Sequence, residues 1–224
     1  YLASATNVGS TFVGEYFKLM IDIDLDNLSW TPIGNAAANT FQGNFDGNGH
    51  TIFQLNILAS WSTTSYNGLF GNLLNASISK LNIRGGTINV GTSALSYVGA
   101  LAGYANNSNI DSCGSDVHII VNTSALNASF NTSVGGIVGH LIGNNGDLTN
   151  SYNKGKITYY FDVNYASTTA NTFHNYVGGL VGYVQHSDVI NCANLNDIVA
   201  TNDILSHRKT SHLYLGGIVG YGTA

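Results

Sequence analysis

Three aspartates, Asp22, Asp24 and Asp26, alternate with apolar residues in Leu19-Met-Ile-Asp-Ile-Asp-Leu-Asp26. On one strand, alternate residues share a face about 7 Å apart, so the three carboxylates form a row of hard oxygen ligands of the type that Ca²⁺ takes. That row is the candidate metal site. The spacing is too long for all three to hold one ion without a turn, and nothing completes a twelve-residue calcium loop, so a solvated strand face is the competing reading. Glycoside hydrolysis needs two carboxyl groups facing each other across a sugar bond. Glu15 is the single Glu, and Asp46, Asp111, Asp116, Asp147, Asp162, Asp188, Asp197 and Asp203 mostly stand at turns, where Asp is ordinary turn chemistry. No catalytic residue is assigned. The seven histidines, His50, His118, His140, His174, His186, His207 and His212, are scattered, whereas Zn²⁺ needs convergent ligands. Asp46-Gly-Asn-Gly-His50 has no helix after it to make a phosphate cradle and reads as a turn. No cofactor is expected.

Aromatic residues recur in a stricter pattern. Tyr104, His140, Tyr183 and Tyr221 each follow the last glycine of a five- or six-residue motif, while Tyr97, Tyr176 and Tyr214 precede its first apolar residue. Along an uninterrupted strand, parity puts Tyr97, Gly99, Leu101 and Gly103 on one side and Val98, Ala100, Ala102 and Tyr104 on the other, unless a bulge intervenes. At least one tyrosine set must then face outward. An aromatic strip bordered by glycine would pack the chain's own loops, join another chain, or stack sugar rings. It is the candidate binding or assembly surface.

The motif itself dictates the architecture. Asn67-Gly-Leu-Phe-Gly71, Gly99-Ala-Leu-Ala-Gly103, Gly135-Gly-Ile-Val-Gly139, Gly178-Gly-Leu-Val-Gly182 and Gly216-Gly-Ile-Val-Gly220 end at glycines 32, 36, 43 and 38 residues apart. The first four are followed by an aliphatic residue at Ile78, Ile110, Leu148 and Val189, then by Leu81, Cys113, Ser151 and Cys192, then by Ile88, Ile120, Ile157 and Ile198. Three short strands per repeat, rich in Val, Ile, Tyr and Thr and bounded by Asn, Gly, Asp and Ser, predict an all-β, right-handed parallel β-helix of about five to six coils. A β-sandwich would not demand the same residue types at the same place in each repeat. Helix is expected nowhere except near Tyr1 to Ala5. Residues 1–57 read as the leading coil or coils and 58–224 as repeat coils of the same domain. The loops Thr92 to Tyr97, Asn122 to Ser133, Phe161 to Tyr176 and Ala200 to Tyr214 leave at one corner. Cys113 and Cys192 occupy the same rung two coils apart, about 10 Å, beyond disulfide reach, and are expected buried and reduced.

Composition narrows the classes. Only 8% of the 224 residues are charged and the net charge is −5, while 29 Asn, 27 Gly, 21 Ser and 19 Thr dominate. A basic stripe for nucleic acid is absent, and no apolar run is long enough to span a membrane. The chain begins at Tyr1 without a basic-then-apolar leader, and the last repeat ends four residues beyond Gly220 without a polar cap. A processed piece of a longer array, or end-to-end association, is therefore expected.

Asp22-Ile-Asp-Leu25, Trp30-Thr-Pro-Ile-Gly34, Phe45-Asp-Gly-Asn-Gly-His-Thr-Ile52, Gly68-Leu-Phe-Gly71 and Val189-Ile-Asn-Cys192, taken in order, resemble the GLUG-motif family, named for a Gly-Leu-(any)-Gly core and found in repeat arrays of bacterial surface proteins. The resemblance implies a non-enzymatic, extracellular, cell-surface adhesin or stalk. Its partners would be other copies or flanking repeats and a glycan or surface protein, with no nucleic acid. It transfers no catalytic residue; some members accompany a metallopeptidase, but this chain has no His-Glu-x-x-His. A filament or surface-layer subunit and a carbohydrate-active lyase or hydrolase are the alternatives.

Overall fold

The computed structural model describes residues 1–61, 63–124, 130–163, 171–204 and 209–224. A single turn and a half of helix, Leu2–Thr6, opens the chain, and every other regular element among the described residues is a strand. The strands assemble into four sheets, and their named pairings are all parallel. Sheet I holds Tyr16–Lys18, Asn44–Asp46, Ser77–Ser79, Asn109–Asp111, Leu148–Thr149 and Val189–Ile190. Sheet II is built on Thr51–Trp61, Asn82–Thr92, His118–Ser124, Ile157–Val163 and Ile198–Ile204, with the short strands Ile23–Asp24, Gly114–Ser115, Tyr152–Asn153 and Ala193–Asn194 beside them. Sheet III contains Ser65–Asn67, Ser96–Gly99, Asn131–Gly135, Asn171–Gly178 and Lys209–Gly216. Sheet IV contains Phe70–Leu74, Ala102–Asn106, Val138–Ile142, Val181–Gln185 and Val219–Thr223.

The chain visits sheets III, IV, I and II in turn and then starts again, so equivalent positions of successive repeats stack as ladders. One repeat, Ser96 to Ser124, carries five strands where the sequence pattern suggests three. The difference comes from corners: the glycine motif is a bend between two strands, and sheet II is entered in two steps. Strands also reach into the expected loops, at Asn122–Ser124, Asn131–Ser133, Phe161–Val163, Asn171–Tyr176, Ala200–Ile204 and Lys209–Tyr214.

Ile78, Ile110 and Leu148 form one fully buried ladder, Ile88, Ile119 and Ile157 a second, and Val98, Val134 and Val177 a third. Each such side chain contributes about 2 kcal/mol by burial. The second ladder runs through Ile119, and the expected rung Ile120 lies one residue off, on the other face.

Two corners give four asparagines a left-handed backbone position. Asn75, Asn107, Gly143 and His186 each follow a sheet IV strand and have φ of 51°, 47°, 110° and 54°. Lys80, Ser112, Asn150 and Asn191 each follow a sheet I strand at 52°, 55°, 50° and 53°. Left-handed backbone suits Gly and Asn, and costs other residues about 1 kcal/mol or more. His186→Gly is therefore expected to stabilise the protein by about 1 kcal/mol, a rise of roughly 2–4 °C in Tm for a chain of this size. Thermal unfolding followed by circular dichroism checks it; an unchanged or lower Tm would count against the strain.

The cysteine rung follows the expected register: Gly114 pairs with Tyr152 and Tyr152 with Ala193, which places Cys113, Ser151 and Cys192 in consecutive repeats. Both thiols are free, as expected, but only Cys113 is buried and Cys192 is half-buried. Burial pushes the Cys113 thiol up to about 12. A thiol reagent should modify Cys192 in the folded protein and Cys113 only on unfolding; equal rates for the two would contradict this packing.

Candidate binding surface

The alternation of Asp22, Asp24 and Asp26 does not make one strand. The strand Tyr16–Lys18 ends before it, a bend occupies Met20 and Ile21, both more than 70% exposed, and only Ile23–Asp24 pairs again. The expected apolar face of Leu19, Ile21, Ile23 and Leu25 is thus split by a corner. Asp22 Oδ1 accepts from the Thr51 N–H at 2.9 Å and pairs with His50 Nδ1 at 3.0 Å. These bonds, the Thr51 bond first, lower the Asp22 carboxyl below the usual carboxylate range. Asp24 Oδ1 accepts the N–H of Asp26 at 2.9 Å in a local turn. Among the described residues, no three His, Cys, Asp or Glu side chains are grouped to hold a metal ion.

The aromatic residues, by contrast, converge. In sheet III, Tyr66, Tyr97, Ser133, Tyr176 and Tyr214 occupy one outward ladder. In sheet IV, Asn72, Tyr104, His140, Tyr183 and Tyr221 occupy another. The two ladders pack against each other. Tyr97 and Tyr104 lie 5.0 Å apart between ring centroids, Tyr176 and Tyr183 5.1 Å, and Tyr214 and Tyr221 4.9 Å. The parity expectation, which separates Tyr97 from Tyr104, fails because Ala100 and Leu101 turn the chain between sheets III and IV.

Glycine makes that turn sharp. A Cβ on Gly139 would sit 2.5 Å from Val98 N and 2.6 Å from Gly103 O, and one on Gly182 2.5 Å from Val134 N and 2.6 Å from Gly139 O. Backbone meets backbone here, so no side chain fits on the inner side and the outer neighbours are thrown together. None of these glycines has positive φ; the motif is conserved in this chain's repeats by close approach and not by conformational freedom.

The rungs stack face on face. His140 is parallel to Tyr104 at 5.3 Å and to Tyr183 at 4.4 Å, with interplanar angles of 10° and 7°. Tyr176 and Tyr214 stack at 5.2 Å. Ring faces are therefore taken up by neighbouring rings from Tyr104 to Tyr221 in sheet IV and between Tyr176 and Tyr214 in sheet III, while Tyr97 meets Tyr104 and His140 at 60° and 66°, an arrangement that offers little of the flat platform sugar stacking would need. Where sheet III has Ser133 in place of tyrosine, its Oγ lies 3.1 Å from His140 Nδ1. Burial lowers the His140 imidazole to about 4 and raises the Tyr97 and Tyr104 phenols above their ordinary value.

Five members of this surface escape the sequence reading, among them Asn72, which follows Gly71 as Tyr104 follows Gly103. Tyr66 and Ser133 stand two residues before Gly68 and Gly135, the offset of Tyr97 before Gly99, so the signal was present. His174 and His212 pair in register one step further out and stack at 5.0 Å and 13°. Their signal is the repeated His-x-Tyr in His174-Asn-Tyr176 and His212-Leu-Tyr214. His207 and part of each of the loops after Asn122, Phe161 and Ala200 lie outside the described residues.

Residues 130–158 and 174–199 both match the family model described as the GLUG motif. The chain carries the GLUG motif. Each GLUG segment covers one passage from sheet III through IV and I into sheet II, including the glycine corner and both left-handed corners, and stops before the connection of variable length. No curated protein matches the chain in sequence. Among solved structures, the 1.30 Å crystal structure of a candidate immunoglobulin A1 protease from Bacteroides ovatus is similar, at 16% identity over 100% of this chain and 81% of that one, with a TM-score of 0.41. Among the described residues, no helix is long and apolar enough to cross a membrane.

Proposed function

We propose that the stacked repeats are coils of a right-handed parallel β-helix and that the chain is a non-enzymatic, extracellular cell-surface module, an adhesin or stalk of a larger repeat protein. The observation that supports this best is the pair of outward rows, paired tyrosines at three repeat levels and Ser133 with His140 at a fourth, which turns polar-edged aromatic residues away from the core. Such surfaces, apolar in body with a hydrogen-bonding tip, favour contact with partners. The rows offer phenols, imidazoles and one serine hydroxyl, in place of the paired carboxylates of glycoside hydrolysis, and so favour binding over catalysis. The GLUG motif agrees with a surface location. Immunolabelling of intact cells tests it: accessible epitope on the cell exterior is expected, and epitope seen only after permeabilisation refutes the location.

A second reading is a subunit of a filament or surface layer, in which the aromatic rows of sheets III and IV pack against another copy, as the outward Tyr97 and Tyr104 register allows. Electron microscopy with light scattering over a concentration series separates the two. Filaments would favour assembly, and a discrete monomer leaves the tyrosine rows to an external ligand.

A further inference from the structure

The Trp30-Thr-Pro-Ile-Gly34 segment lines a groove of about 350 Å³ at the leading end of the tyrosine rows. Its apolar walls include Trp30, Pro32, Leu58 and Tyr66, and Thr31 and Asn35 supply polar groups. The Trp30 indole N–H donates to Leu69 O at 3.0 Å, which anchors the side chain, and Trp30 lines both this groove and an apolar pocket bordered by Leu2 and Ala3 of the N-terminal helix. Tyr66 packs on Tyr97 at 5.2 Å and on Tyr104 at 6.1 Å, both in the following repeat, and borders the groove on its leading side.

The polar rim is held in place from behind. Asn7 Oδ1 accepts the N–H groups of Gly34 and Asn35 at 2.9 and 3.0 Å, and Asn72 Nδ2 donates to Ala36 O at 3.2 Å. Leu58, 80% exposed, forms the outer lip. Every lining side chain is uncharged, and five of them bear hydroxyls from Ser or Thr. A site of this size with aromatic walls, hydroxyls, the Asn35 amide, whose Oδ1 accepts from Asn39 Nδ2 at 3.4 Å, and no charge selects a small neutral ligand that has an apolar face and several hydroxyls of its own.

We propose that this groove binds one ring of a neutral sugar, with Trp30 and Tyr66 against its C–H face and Asn35 and Thr31 hydrogen-bonding its hydroxyls. This rests on the reading of the chain as a module exposed to external ligands, and it moves recognition from the tyrosine rows, whose ring faces are largely taken up by one another, to their leading end.

The test is a saturation-transfer NMR titration of the purified chain with methyl glycosides of glucose, galactose, mannose and N-acetylglucosamine, with N-acetylneuraminic acid as the charged comparison. At least one neutral glycoside should bind saturably. Leu58→Arg and Asn35→Ala, both at exposed positions, should keep the wild-type circular dichroism and melting temperature while weakening binding by about tenfold or more. No saturable neutral glycoside, binding that both variants leave unchanged, preference for the charged sugar, or a response to an uncharged extended peptide alone would each overturn the site. Cell-surface labelling is read separately, so failure of the groove and failure of the surface location are told apart.

Discussion

Gly182→Ala will destabilise the protein by about 3 kcal/mol or more, whereas Gly217→Ala, in the same motif one repeat on, will change stability by less than about 0.5 kcal/mol. A methyl on Gly182 meets only backbone, Val134 N at 2.5 Å and Gly139 O at 2.6 Å, and backbone in a stacked sheet cannot move without shifting the rungs above and below. A methyl on Gly217 meets nothing within 4 Å. The contrast is informative because the two glycines look alike in sequence. Gly179, the true counterpart of Gly217, would place its Cβ 2.7 Å from Asn194 Cβ, so Gly179→Ala should behave like Gly182→Ala. Chemical denaturation of the three variants decides the matter. Equal losses at all three positions would mean that the motif acts through backbone freedom; negligible losses at Gly179 and Gly182 would mean that the sheets are not in contact at this corner.

The second large effect is a loss of stability between pH 6.5 and pH 4 that depends on His140. An unfolded imidazole titrates near 6.5, and burial between Tyr104 and Tyr183 holds the folded one down to about 4. Within that window the unfolded chain binds a proton that the folded chain does not, so stability present above pH 6.5 is lost as the pH falls, by about 3 kcal/mol at most. Asp22 and Asp111 are lowered by their hydrogen bonds, and their contributions fade only below the ordinary carboxylate range. His118, lowered by burial and then by Lys156, adds a smaller slope of the same sign. His140→Tyr, which copies the neighbouring rungs, should flatten the profile. An unchanged slope in that variant would assign the effect elsewhere.

The ladders were legible because stacking demands chemical identity at a fixed offset: the five glycine motifs and the Leu81, Cys113, Ser151 and Cys192 rung locate themselves. The corner inside the motif was not, because periodicity alone cannot distinguish a strand of alternating small residues from two strands joined by a turn. That is why parity set Tyr97 and Tyr104 on opposite faces. Asp22 to Asp26 shows the same limit, since perfect alternation there hides a bend at Met20 and Ile21. The Trp30 groove required the third dimension altogether; Leu58 and Tyr66 stand on consecutive strands of different sheets, and Asn35 is brought to them from an irregular segment earlier in the chain.

The left-handed columns after sheets IV and I carry a further implication for how such a chain changes over generations. Each repeat passes two fixed corners and one glycine corner, so the phase of the backbone is reset every time around. Extra residues gained between sheets II and III therefore do not propagate into the next repeat, and each doubling of that connection costs only about 0.6 kcal/mol of closure entropy. Insertions and deletions can accumulate at one edge while the stack keeps its register, which lets the exterior diversify quickly on a scaffold that is itself held still.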